Sequence, residues 1–202
     1  MPLHARAWQE ALKAIYGLRV LRRWIYEREG EPGLATARTL LKRHGVSSWA
    51  RLSVVVLREK ERRFQRLARH VKGDPRLVER LRRFSRTGVP LALVTGTSAR
   101  EVSRLVPRTV LAFFDVVVTG DRVRRGKPHP EPYRRAFQRL GVKPAQAVVV
   151  ENAPYGIRAA RRAHAGLVIA LASSLPNTFL REAHIVVSSI PQLCKLLDRL
   201  VA

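Results

Sequence analysis

Three short polar stretches of the chain hold the residue types needed to grip a phosphate: Thr95-Gly96-Thr97, Lys127 and Glu151-Asn152. The first supplies a hydroxyl and backbone N–H groups in a tight turn. The second places one long cation in "RRGKPHPEPYRRAFQRLG", directly before a helix start, where an anion such as phosphate is favoured. The third supplies a carboxylate beside an amide, both hard oxygen donors suited to a cation such as magnesium. Taken singly, each has a plainer reading. Thr95-Gly96-Thr97 is then a turn, Lys127 a solvated loop lysine and Glu151 the neighbour of a helix N-cap. Taken together, they make a site for a phosphate and a magnesium ion, provided the fold brings them to one place.

The pattern around them supplies that condition. Pro128, Pro130 and Pro132 are barred from a helix interior but tolerated in a first turn. Tyr133, Phe137 and Leu140 then recur at helical spacing, with Arg134, Arg135 and Arg139 between them. From residue 73 onward, short β-branched runs alternate with helices: "VPLALVTGT", "FDVVVTG", "AVVVEN", "GLVIALA" and "HIVVSS". Near-continuous apolar strands alternating with helices predict a parallel sheet covered on both faces, an α/β core. Ligands of such sheets bind beyond the carboxyl ends of the strands, where all three polar stretches fall. Residues 1–72 read instead as helices. Ala5, Trp8, Leu12 and Ile15 form one stripe, "LATARTLLKRHG" ends at a capping Gly45, and Val54 to Leu57 lie in a long helix with a charged continuation. The break between the two halves is expected at "KGDP", residues 72–75.

With 202 residues, 46% of them hydrophobic, the chain is long enough for a core plus an appended region. Its 32 arginines and 7 lysines give a formal charge of +24. Such a charge raises nucleic acid or an anionic membrane as partners. The basic residues are spread over nearly every amphipathic segment, however, with no aromatic-interleaved stripe. A solvated basic surface with no specific nucleic-acid partner is therefore the favoured expectation. Cys194 is the sole cysteine, which rules out an internal disulfide, and Leu193, Leu196 and Leu197 around it predict a core thiol. The N-terminus lacks an apolar signal core and no run reaches membrane-spanning length, so a soluble cytoplasmic protein is expected.

In order and spacing the three stretches resemble the motifs of the haloacid dehalogenase (HAD) superfamily, in its β-phosphoglucomutase-like and phosphoglycolate-phosphatase-like branch. "LALVTGTS" is similar to the second motif, "GKPHPEPYRRAFQRLGVKP" to the third and "AVVVENAPYGIRAARRAHAG" to the fourth. The resemblance implies a Rossmann-like core over residues 73–202 with a helical cap over 1–72. It implies a magnesium-dependent phosphatase, or a phosphomutase, acting on a small phosphorylated metabolite. Thr95 and Lys127 would then be catalytic, Gly96 and Thr97 would hold the phosphoryl group, and Glu151 and Asn152 would support Mg2+. His4, at the cap entrance, is a candidate substrate contact, with a packed linker histidine as the plainer reading. Two departures stand out. The family's first motif, a strand ending in Asp-x-Asp-Gly, is expected just before "MPLHARAW", so the core lacks its first strand and both catalytic aspartates. A second acidic residue is also common where Asn152 stands. The resemblance thus implies a family enzyme that is inactive in this form, with a non-catalytic phosphometabolite- or partner-binding relative, or a non-specific nucleic-acid binder, as alternatives.

Overall fold

Helical periodicity dominates the first third of the chain. The computed structural model describes residues 2–69 and 73–201. Helices α1 (Pro2–Tyr16), α2 (Arg22–Tyr26), α3 (Gly33–Arg43) and α4 (Trp49–Leu67) come first. They bury Ala5, Trp8, Leu12, Ile25, Leu40, Leu41 and Val56 in one cluster. The Val54 to Leu57 run is helical, as its charged continuation required: Val56 turns into the cluster and its neighbours Val54 and Val55 face solvent. Gly45 follows α3 with φ +70°, the left-handed conformation that a glycine adopts without steric cost. Of the expected "KGDP" break, Lys72 lies outside the described residues. On either side of it α4 ends at Leu67, and α5 (Pro75–Arg86) opens with the Asp74 side chain accepting the Arg76 N–H.

The remainder alternates strands and helices. It runs β1 (Ala92–Val94), α6 (Ala99–Leu105), α7 (Arg108–Leu111), β2 (Val116–Val118), α8 (Glu131–Leu140), β3 (Val148–Glu151), α9 (Pro154–Arg162), β4 (Leu167–Leu171), β5 (Ile185–Val187) and α10 (Ile190–Leu200). All strand pairs are parallel, giving the expected α/β architecture. Tyr133, Phe137, Val149, Ile157, Ala160 and Val168 build the main core from α8, β3, α9 and β4. Burying each large apolar side chain of this set stabilises by about 1.5–3 kcal/mol. Cys194 is buried, as its leucine neighbours predicted.

The sheet departs from expectation in one respect. It is split, among the described residues, into a β1–β2 pair and a β3–β4–β5 trio. β1 pairs only with β2, and β3 only with β4, so each keeps an unpaired edge. Coverage of both faces fails accordingly: Val148 and Val150 remain 42% and 41% exposed, while Val149 between them is buried. An apolar side chain on an edge strand lacks one lateral neighbour, so helix packing alone does not cover it. Among the described residues no helix is long and apolar enough to cross a membrane.

Candidate functional site

Thr95 is the residue after β1, and Glu151 is the last of β3. Between them in sequence, Lys127 lies in the loop leading to α8, with a cis bond to Pro128. Parallel strands direct these three ends the same way, and the lysine joins them. Its Nζ donates to Val94 O at 3.1 Å, at the end of β1, and pairs with Glu151 Oε1 at the end of β3. Lys127 and Glu151 are only 5% and 8% exposed. The prolines direct this placement. Pro132 occupies the first turn of α8, and Tyr133 and Phe137 bury one face of the helix, which fixes the loop before it.

Tyr133 completes the cluster. Its hydroxyl donates to Glu151 Oε1 at 2.5 Å, and Lys127 Nζ lies 5.0 Å from its ring centroid. Burial, followed by the Glu151 charge and the hydrogen bond to it, pushes the Tyr133 hydroxyl well above its usual range, so it remains a proton donor. The Asn152 N–H donates to Glu151 Oε2 at 3.1 Å. A buried ion pair repays desolvation only when its remaining lone pairs are also satisfied, and here both carboxylate oxygens are. The α9 backbone passes so close that a Cβ on Gly156 would stand 2.1 Å from Glu151 Oε1, so only glycine fits there.

The turn after β1 is pinned in the same manner. Thr95 N–H donates to Val118 O at 2.9 Å, and Thr95 Oγ1 accepts the Thr97 N–H at 3.1 Å. The Thr95 hydroxyl therefore keeps its own proton to donate. Gly120 N–H donates to Thr97 O, and a Cβ on Gly96 would meet Gly30 O at 2.9 Å. The 28–32 loop of the helical region thus lies on the strand ends. Tyr155 N–H donates to Glu29 O at 3.2 Å, and Arg28 forms a two-point ion pair with Glu31, which also accepts the Thr36 hydroxyl.

Of the expected site residues, Thr95, Gly96, Thr97, Lys127, Glu151 and Asn152 therefore share one end of the strands. His4 is placed elsewhere: its ring stacks on Phe64 of α4, with centroids 3.9 Å apart. Desolvation there, aided by the Lys60 charge, holds His4 well below its usual range and hence neutral. The sequence reading missed Tyr133 as a polar partner because its spacing marked it as core. The signal was its hydroxyl, since a buried tyrosine O–H needs an acceptor.

All four aspartates are engaged away from this cluster. Asp74 caps α5, Asp115 accepts Leu91 N–H, Asp121 accepts Ala99 N–H and the Thr119 hydroxyl, and Asp198 pairs with Arg80. No group of three or more His, Cys, Asp or Glu forms a metal centre among the described residues. Two open depressions of about 340 and 310 Å³ lie apart from the cluster, one against Arg6, Arg63 and Arg66, the other against Ser85, Asp115 and Arg139. Neither includes Lys127, and neither brings together a hydroxyl, a cation and a carboxylate at strand ends.

A family model described as haloacid dehalogenase-like hydrolase matches residues 1–164. A phosphorylated carbohydrates phosphatase of Thermotoga maritima is 36% identical over 140 residues, 69% of this chain and 61% of that protein. Protein CbbY of Cereibacter sphaeroides is 33% identical over 178 residues, 80% of this chain and 74% of that protein. Among solved structures, a Bacteroides vulgatus protein described as a β-phosphoglucomutase superimposes with a TM-score of 0.81 at 28% identity, covering 98% of this chain and 82% of that one. Across the first four curated relatives, the chain spans between 40% and 61% of their length.

Proposed function

Because the chain belongs to the haloacid dehalogenase-like hydrolases, we propose that its strand-end cluster holds the phosphoryl group of a small phosphorylated sugar, and that the protein serves a phosphatase or phosphomutase reaction. The carrying observation is the buried Lys127–Glu151 pair, fixed between the ends of β1 and β3 beside the Thr95 turn. Lys127 uses two of its three N–H donors on Val94 O and Glu151, leaving one for a phosphoryl oxygen. Thr95 donates its free O–H to a second oxygen. Both donors are preorganised and desolvated, the condition under which they stabilise developing charge most strongly. Residues 1–72 act as a cap over this site, with the 28–32 loop closing on Gly96.

Magnesium fits the donors present in the way typical of that ion. Glu151 and Asn152 offer hard oxygens from one carboxylate and one amide, and Mg2+ commonly completes its shell with water and substrate phosphate. When bound, the ion would supply charge neutralisation at the phosphoryl oxygens. Glu151 is held by three donors, so it serves as a fixed anchor rather than an attacking group.

The engagement of all four aspartates elsewhere supports a second reading, in which these residues bind a phosphometabolite without turning it over. One experiment separates the two: titrate the protein with orthophosphate by calorimetry, with and without Mg2+, and follow phosphate release from a sugar phosphate. Binding with release supports the enzyme. Binding without release supports the second reading. No binding, or binding unchanged in Lys127→Ala, refutes both.

A further inference from the structure

A second group of buried charges lies between the helical region and the strand ends. Lys60 of α4 is 6% exposed, and Glu101, in the first turn of α6, is 7% exposed. Glu29 directly precedes Gly30, whose carbonyl stands against Gly96 of the phosphate turn. These groups come from three separate elements. The attractive charges acting on Lys60 are those of Glu101, Glu29 and Glu61, in that order. Phe64 and Trp8 wall the lysine, their ring centroids 5.1 and 5.7 Å from Nζ.

Unlike Glu151, this group is unfinished. Glu29 Oε1 and Glu101 Oε1 are buried without a hydrogen-bond partner among the described residues. Buried polar atoms are paired in the great majority of cases, so two orphaned carboxylate oxygens facing one buried lysine require an explanation. Helix capping does not provide one. Ser98 accepts the Glu101 N–H at 3.3 Å, but the Glu101 side chain leaves its Oε1 without a returned donor. Core packing does not provide one either, because an apolar residue would fill the space without stranding a charge.

The donor set selects the ligand. The carboxylates repel an anion and accept hydrogen bonds, whereas Lys60 repels a cation and donates them. A neutral hydroxyl both donates and accepts, and a carbon skeleton bearing several hydroxyls satisfies all three side chains together. We infer that Glu29, Lys60 and Glu101 form a subsite for the hydroxyl-bearing part of a polyol or sugar monophosphate, beside the turn that holds its phosphate. The inference rests on the phosphate reading above and narrows it. A second phosphate at this end of the substrate meets two buried carboxylates, so a bisphosphate binds less well than the monophosphate.

The test is calorimetric titration of the wild type, Glu101→Gln, Glu29→Gln, Lys60→Met and Lys127→Ala with three probes: orthophosphate, a hexitol 6-phosphate and the free hexitol. Thermal unfolding of each variant checks that it remains folded. The expected result is about tenfold or greater weakening of hexitol 6-phosphate binding in the Glu101, Glu29 and Lys60 variants, the loss of roughly one hydrogen bond to a charged group. Orthophosphate affinity should stay within about twofold in the same variants. Equal weakening for both probes, or unchanged hexitol 6-phosphate binding, overturns the subsite. Hexitol binding that survives Lys127→Ala but not Glu101→Gln sustains the subsite while the phosphate reading fails. A wild type that binds none of the probes overturns both.

Discussion

Two groups of buried charge lie near the same strand ends and are built in opposite ways. Around Glu151, every carboxylate oxygen receives a donor, from Lys127, Tyr133 or the Asn152 backbone. Around Lys60, two carboxylate oxygens receive none. Desolvation acts on both groups, but only the first is compensated by hydrogen bonds. The contrast teaches that burial of charge by itself has no single meaning. A satisfied pair is rigid, and it presents spare donors in fixed positions. An unsatisfied set is destabilising to the free protein and is completed by what binds there. The titration of Glu29 records that difference: burial pushes its carboxyl up to about 7, with Lys60 opposing but not cancelling the effect.

Breaking the satisfied pair should have the largest effect. Lys127→Ala strands the Glu151 charge, and loss of one partner of a buried pair costs about 3–5 kcal/mol of stability. Chemical denaturation checks this, and calorimetry should show orthophosphate affinity falling by about ten- to a hundredfold as well. A stable Lys127→Ala protein with intact phosphate affinity would place the lysine outside the site. Tyr133→Phe keeps the ring and removes one donor from Glu151, so a smaller loss of about 1–3 kcal/mol is expected by the same measurement.

The unsatisfied set should respond with the opposite sign. The folded pKa of Glu29 is raised above its ordinary value of 4.5, so its stabilising contribution is complete below that value. It is lost as pH rises from there through about 7, because the folded state must then ionise a buried carboxyl while the unfolded state already has. Glu29→Gln removes this penalty. The variant should match the wild type near pH 4 and exceed it by about 1–3 kcal/mol at pH 8, read from unfolding at both values. Equal stability of variant and wild type at pH 8 would show that Glu29 is not desolvated, and the contrast between the two groups would lose its basis. The smallest effect belongs to Lys143, an exposed lysine that also precedes a proline. Lys143→Ala should change stability by less than about 0.5 kcal/mol and leave orthophosphate binding unaltered. If it weakens binding as much as Lys127→Ala, surface charge rather than the buried pair attracts the anion.

Much of the satisfied group was legible before any fold was known. Pro128, Pro130 and Pro132 announced a helix start, the valine runs announced strands, and the rule for parallel sheets placed Thr95, Lys127 and Glu151 at one end. The strands themselves proved shorter than their apolar runs: "VPLALVTGT" yields only Ala92–Val94. The split of the sheet between β1 and β3 was not readable from periodicity, because strand runs specify faces and not neighbours. His4 shows the same limit from another side. Its place near the start of the helical region suggested a substrate contact, but the structure stacks it on Phe64, sixty residues away in sequence.

By itself, the sequence determined the alternation of elements, the helical first third, and the residue types available at each strand end. These follow from local chemistry: side-chain period, proline geometry and the polarity of a turn. Only the tertiary structure decided which of those residues are satisfied. Tyr133 reaches Glu151 across 18 positions, Lys127 reaches Glu151 across 24 and Val94 across 33. The grouping of Glu29, Lys60 and Glu101 depends on three elements meeting. Desolvation and hydrogen-bond completion depend on what the rest of the chain packs around a group, and no local window of sequence contains that information.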